Sequence, residues 1–137
     1  LLNENDIISA ICDYLERIEG YVIVQKLGTT QKGIDIIAKH PEQPGRLLIE
    51  AKGGTSSRDG SNRYGKEYTE TQVFDRVSKG FFTVTKMLVE CKDNDDVALA
   101  CPDTVTFRKY LNQIKPALDK LGIKVFLVKE DRTVNCL

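Results

Sequence analysis

Apolar residues recur at Ile8, Ile11, Leu15 and Ile18, a helical spacing that starts after Asn5 or Asp6 as an N-cap and stops at Gly20. Tyr21 to Val24 is a short β-branched run that predicts a strand. A polar turn through Gly28 to Gly33 follows, and Ile34 to Lys39 opens a second strand. Two prolines and a Pro-Gly step between His40 and Arg46 mark a turn, and a third strand, Leu47 to Lys52, begins at once. The stripe Val73, Val77, Phe81, Val84, Leu88 predicts a second helix, with Thr69 and Gln72 at capping-box spacing and Gly80 as its weak point. Val97 to Cys101 is a fully apolar fourth strand. Phe107, Leu111, Ile114, Leu118 and Leu121 form a third helix that ends at Gly122, and Pro116 is expected to kink or split it. Ile123 to Val128 is the last expected strand. The order is α-β-β-β-α-β-α-β: an antiparallel meander behind one helix, then two crossovers that add parallel neighbours.

A chain of 137 residues fits one domain, and 41% hydrophobic with 29% charged residues is a globular balance that excludes disorder and collagen-like repeats. Twenty basic residues cancel twenty acidic ones, so a nucleic-acid partner must be engaged by a local patch rather than by bulk charge. Residues 1–51 carry 5 basic and 8 acidic groups, residues 52–92 carry 8 and 5, and residues 93–137 carry 7 of each. The positive excess therefore sits after the third strand. No apolar stretch approaches the length of a membrane span, and the chain opens on Leu1, as a segment trimmed from a longer protein would. Cys12, Cys91, Cys101 and Cys136 are widely spaced without a CxxC pair, and read as reduced, mostly buried thiols of a cytoplasmic protein. The lone His40, beside Pro41, leaves a zinc site short of ligands and reads as a solvated loop residue.

The third strand holds the informative anomaly. Glu50 and Lys52 interrupt its apolar run and, at period two, project to the same face. Asp35 stands in a similar setting on the second strand, and pairing about the 41–45 turn places it opposite the Glu50 to Lys52 stretch. Two carboxylates and an ammonium in a half-buried sheet are costly unless they neutralise one another or bind a cation. Oxygen ligands on a small rigid patch suit Mg²⁺ or Mn²⁺. Asp35, Glu50 and the backbone carbonyl of Ala51 would hold the ion. Lys52, beside the attacking water, would orient it or help to deprotonate it.

Gly33-Ile-Asp35, fourteen intervening residues and Glu50-Ala-Lys52 resemble the motif of the PD-(D/E)XK phosphodiesterase superfamily. The phrase Lys32-Gly-Ile-Asp-Ile-Ile-Ala38 with Leu48-Ile-Glu-Ala-Lys52 is most similar to the Mrr-like restriction endonuclease branch. The resemblance covers roughly residues 4–101. It implies an α/β, restriction-endonuclease-like α-β-β-β-α-β core with a mixed sheet flanked by helices, plus a C-terminal α-β extension. It further implies a single nuclease-like domain over residues 1–137 that hydrolyses DNA with Mg²⁺ or Mn²⁺ in restriction, defence or repair. A homodimer and partner domains of a longer chain are compatible with it, and a membrane partner is not expected. Ile34 stands where the motif has proline. The position eleven residues before Gly20, where many relatives carry a glutamate, is Ser9, which argues against a second metal site. Family members often place a glutamine early in the second helix beside the active site, and Gln72 fits that place, although capping alone would also account for it.

Residues 53–68 form a long loop rich in Gly, Ser and charge, with Tyr64 and Tyr68 close by. Arg58, Arg63 and Lys66 there, with Arg76 on the helix that follows, are candidate contacts to phosphates. Two other readings stand beside the nuclease. One is a non-catalytic nucleic-acid-binding or scaffold domain that keeps the fold. The other is a structural domain in which Asp35, Glu50 and Lys52 form only an internal ion-pair cluster.

Overall fold

A computed structural model describes residues 1–28, 30–56 and 65–137. The elements are α1 (Glu4–Arg17), β1 (Val22–Lys26), β2 (Ile36–Lys39), β3 (Leu47–Ala51), α2 (Glu70–Glu90), β4 (Asp96–Pro102), α3 (Val105–Leu121), β5 (Lys124–Val128) and β6 (Val134–Cys136). The strands form one mixed sheet in the order β1-β2-β3-β4-β5-β6. β1, β2 and β3 are an antiparallel meander, β3, β4 and β5 are parallel, and β6 returns antiparallel to β5. This is the restriction-endonuclease-like core with its C-terminal extension.

Alternation along β3 divides the core in two. Leu47, Ile49 and Ala51 join Ile7, Ile8, Ile11 and Leu15 of α1 on one face of the sheet. Leu48 joins Val77 and Val84 of α2 and Phe107, Leu111 and Leu118 of α3 on the other. β4 is buried on both faces, as its unbroken apolar run requires.

Four local features differ from the pattern-based expectation. Helix α1 begins earlier, because Asn3 is the N-cap and forms a reciprocal capping box with Asp6. Strand β2 begins only at Ile36 and pairs Ile36 with Ile49, which sets Asp35 just outside the ladder. Pro116 does not split α3: both it and Asn112, whose carbonyl loses its helical donor, are exposed, so water can satisfy the freed group. Strand β6 was hidden in a polar tail, where Arg132 at φ 69° completes the turn that sends Val134–Cys136 back along β5.

The thiols fit their sites only in part. Cys12 and Cys101 are buried and Cys91 is half-buried, whereas Cys136 is exposed. Burial pushes the Cys12 thiol up to about 11 and the Cys101 thiol up to about 12, so both are protonated and unreactive near neutrality.

Candidate active site at the end of strand β3

Glu50 and Lys52 fall on the α2 side of the sheet because they alternate in phase with Leu48. Neither leaves the protein: the Glu50 residue is 9% exposed, and its Oε2 lies 3.1 Å from the Lys52 Nζ. The lysine stem runs beneath α2 at Gly80, where an added Cβ would stand 3.5 Å from Lys52 Cγ and 2.9 Å from Leu99 Cδ1. A glycine inside a helix costs about 0.5–1 kcal/mol relative to alanine, and here it permits the close approach of α2 to β4 and to the lysine. The residue that the sequence marks as a weak point thus sits over the site, and α2 continues through it.

Asp35 is 8% exposed, and its Oδ2 accepts a hydrogen bond of 2.8 Å from the Ala51 N–H. Because β2 has not yet begun, the aspartate takes the place of the missing ladder partner at the end of β3. The Ala51 carbonyl points to the same side of the strand as its N–H. Burial, and then the hydrogen bond and negative charge of Asp35 beside it, push the Glu50 carboxyl up to about 8, against the opposing pull of Lys52. The patch is therefore two buried carboxyl groups with the Lys52 ammonium paired to one of them. Its donor set, two carboxylates and a main-chain carbonyl, fits a hard divalent cation, which would favour the ionised form of Glu50 against its burial and against the charge of Asp35.

The segment after β3 brings α1 to this patch. Gly54 N–H donates to the Leu2 carbonyl at 2.8 Å, and Asn3 forms a parallel bridge with Thr55. A Cβ at Gly53 would lie 2.3 Å from the Glu4 backbone nitrogen, so only glycine allows the helix start to sit there. Glu4, the first residue of α1, consequently lies within the electrostatic field of the site. Burial and then Asp35 raise its carboxyl, while Lys52 and Arg76 lower it. Sequence reasoning sought a first-helix carboxylate at Ser9 and missed Glu4. The signal for it was the Asn3 and Asp6 capping spacing, which makes Glu4 the first helical residue. Among the described residues no three metal-capable side chains stand together, so Glu4 does not complete a three-residue ligand set with Asp35 and Glu50.

The remaining candidates occupy different places. Gln72 is the N3 residue of α2: its Oε1 accepts from Thr69 N–H at 2.9 Å, which commits that oxygen to the capping box. Arg76 lies one turn further on, with its guanidinium 5.0 Å from the centre of the Tyr68 ring and a 3.2 Å hydrogen bond to the Tyr68 hydroxyl. Its positive charge lowers the Glu4 carboxyl, the smallest of the influences on that group. Lys66 is exposed, and its carbonyl accepts from the buried Thr55 hydroxyl at 2.6 Å. Arg58, Arg63 and Tyr64 lie outside the described residues. Also among the described residues, no helix is long and apolar enough to cross a membrane.

No protein-family model matches the chain, and no curated protein sequence aligns with it significantly. Among the solved structures that share its fold are two of similar length. An XisH family protein from Nostoc punctiforme PCC 73102 superposes with a TM-score of 0.58 at 14% identity, covering 98% of this chain and 98% of that one. An fdxN element excision controlling factor protein from Anabaena variabilis superposes with a TM-score of 0.53 at 15% identity, covering 95% and 96%. The chain is thus similar over nearly its whole length to XisH family proteins, which share the restriction-endonuclease-like fold.

Proposed function

We propose that this chain is a metal-dependent endonuclease domain that hydrolyses DNA phosphodiester bonds. The observation that carries the reading is the burial of Asp35 and Glu50 side by side at the end of β3, with the Lys52 ammonium 3.1 Å from Glu50. Asp35, Glu50 and the Ala51 carbonyl hold Mg²⁺ or Mn²⁺, and Glu4 adds negative charge from α1. Bound there, the ion supplies Lewis-acid stabilisation of the phosphodiester and lowers the pKa of water. Lys52, held by Glu50 and by the wall at Gly80, orients the attacking water and offsets charge on the phosphate. Arg76, braced on Tyr68, contacts a phosphate, and Lys66, Arg58 and Arg63 extend that contact along the strand. Gln72 belongs with the helix cap, with a contact to substrate as its second role.

The finer assignment to the Mrr-like branch rests on the Lys32 to Ala38 and Leu48 to Lys52 phrases, and the setting is cytoplasmic. One like-folded protein is described as controlling excision of the fdxN element, which is compatible with chemistry on DNA. The same description favours the second reading, a non-catalytic DNA-binding or scaffold domain, as does the outlying position of Glu4. Incubation of linear, supercoiled and single-stranded DNA with Mg²⁺ or Mn²⁺ separates the two. Cleavage by wild type that is lost in Glu50→Gln supports the enzyme, whereas binding without any cleavage overturns it in favour of the scaffold.

A further inference from the structure

Helix α2 carries a second apolar face that the core does not use. Its buried residues, Val73, Val77, Gly80, Val84 and Met87, face the sheet. Phe74, Ser78, Phe82, Thr85 and Val89 recur at spacings of four, four, three and four on the outer side. This stripe is about 22 Å long by helical rise and contains no charged residue. Its large members are open to solvent: Phe74 is 50% exposed, Phe82 69% and Val89 86%. The half-exposed Thr85 donates its hydroxyl to the Phe82 carbonyl at 2.7 Å, so that polar group is satisfied within the helix. At the N-terminal end the stripe continues onto α3, where the Phe74 and Tyr110 rings meet edge to face with centroids 5.5 Å apart. Isolated exposed hydrophobics are ordinary, but a charge-free row along a whole helix marks a binding surface.

Charge decides what covers it. Lys79 and Lys86, seven residues apart, edge one side of the stripe and outnumber Asp75 there; both lysines are exposed and neither makes an ion pair among the described residues. A second copy of α2 packed antiparallel would bring Lys79 towards its partner's Lys86, a like-charge contact that disfavours it. Nucleic acid is disfavoured as well, because Glu70, Asp75 and Glu90 balance Arg76, Lys79 and Lys86 on this helix. We infer that the outer face of α2 docks an amphipathic α-helix of a partner protein, apolar along one stripe and edged by aspartate or glutamate opposite Lys79 and Lys86.

The test uses two labelled designed helices of the length of α2, identical in a leucine stripe and flanked either by glutamate or by lysine, with binding read by fluorescence anisotropy. The glutamate-flanked helix is expected to bind at least about tenfold more tightly. Phe82→Ser with Val89→Ser should abolish that binding, and Lys79→Glu with Lys86→Glu should invert the preference, in protein whose circular dichroism and DNA cleavage match wild type. Failure of both helices to bind, or equal binding of the two, overturns the inference. So does a dimer in light scattering that Phe82→Ser dissolves, which would make the face a self-interface. Loss of single-stranded DNA binding in Phe82→Ser would make it a base-stacking surface and overturn the inference in the same way.

Discussion

The Asp35 carboxylate accepts the Ala51 N–H at 2.8 Å, which ties a residue just outside β2 to the last residue of β3. One side chain thereby completes the sheet and also presents a carboxylate beside Glu50. The two tasks separate on substitution. Asp35→Asn keeps a carbonyl oxygen for Ala51 and should remain close to wild type in stability, whereas Asp35→Ala leaves a buried N–H without a partner and should lose about 1–3 kcal/mol. Urea denaturation of both variants measures the difference.

Glu50 makes stability depend on pH in a direction opposite to that of an ordinary paired carboxylate. Its folded-state carboxyl lies near 8 against 4.5 in the unfolded chain, so the folded state keeps a proton that the unfolded state has lost. Its favourable contribution is complete below the unfolded value and is lost as pH rises through the folded one. In metal-free buffer Glu50→Gln should therefore gain on wild type in melting temperature between about pH 5 and pH 9. A constant difference across that range would show that the Glu50 carboxyl is not perturbed.

Lys52→Met preserves most of the stem under Gly80 and removes the ammonium. It should lower single-turnover DNA cleavage by about 10²–10⁴, the range for loss of a proton-transferring or charge-stabilising group. DNA affinity should change far less. Equal losses in binding and turnover would make the lysine a substrate-binding residue instead.

The start of α1 should respond to Gly53 and Glu4 in different ways. Gly53→Ala forces a methyl group against the Glu4 backbone, 2.3 Å from its nitrogen. That strain should cost about 1–3 kcal/mol and part the helix from the end of β3. Glu4→Gln should preserve stability and weaken Mn²⁺ binding by less than about tenfold, because its carboxyl reaches the site through its field. Ser9→Ala should change neither. Thermal melts and Mn²⁺ titration of the three variants distinguish these outcomes.

The elements with long, strongly periodic patterns were legible in the sequence. The α2 stripe with its Thr69 and Gln72 cap and the unbroken apolar run of β4 left little choice of structure. The convergence of Asp35, Glu50 and Lys52 also followed from period-two alternation and the hairpin register. Glu4 did not, because its place depends on the pairing of Asn3 with Thr55, more than fifty residues away in the chain. Strand β6 was obscured for a similar reason: three residues with little burial carry no pattern of their own and are strand only because β5 offers an edge. Gln72 caps α2 through an oxygen that accepts the Thr69 N–H, as its spacing predicts, and its contact to substrate belongs to the proposed function. The tolerance of α3 for Pro116 depended on which side of the helix faces water, which the hydrophobic stripe implied by omission.

The pairing of two buried carboxylates as a cation site is the claim on which the functional reading stands. Titration calorimetry of Mn²⁺ into wild type, Asp35→Asn and Glu50→Gln near pH 8 tests it directly, because at that pH the Glu50 carboxyl is free to ionise. Wild type is expected to bind with proton release, and each variant to bind at least about tenfold more weakly while its circular dichroism is unchanged. Equal affinity in all three proteins, or no binding by wild type even with DNA present, would contradict the account.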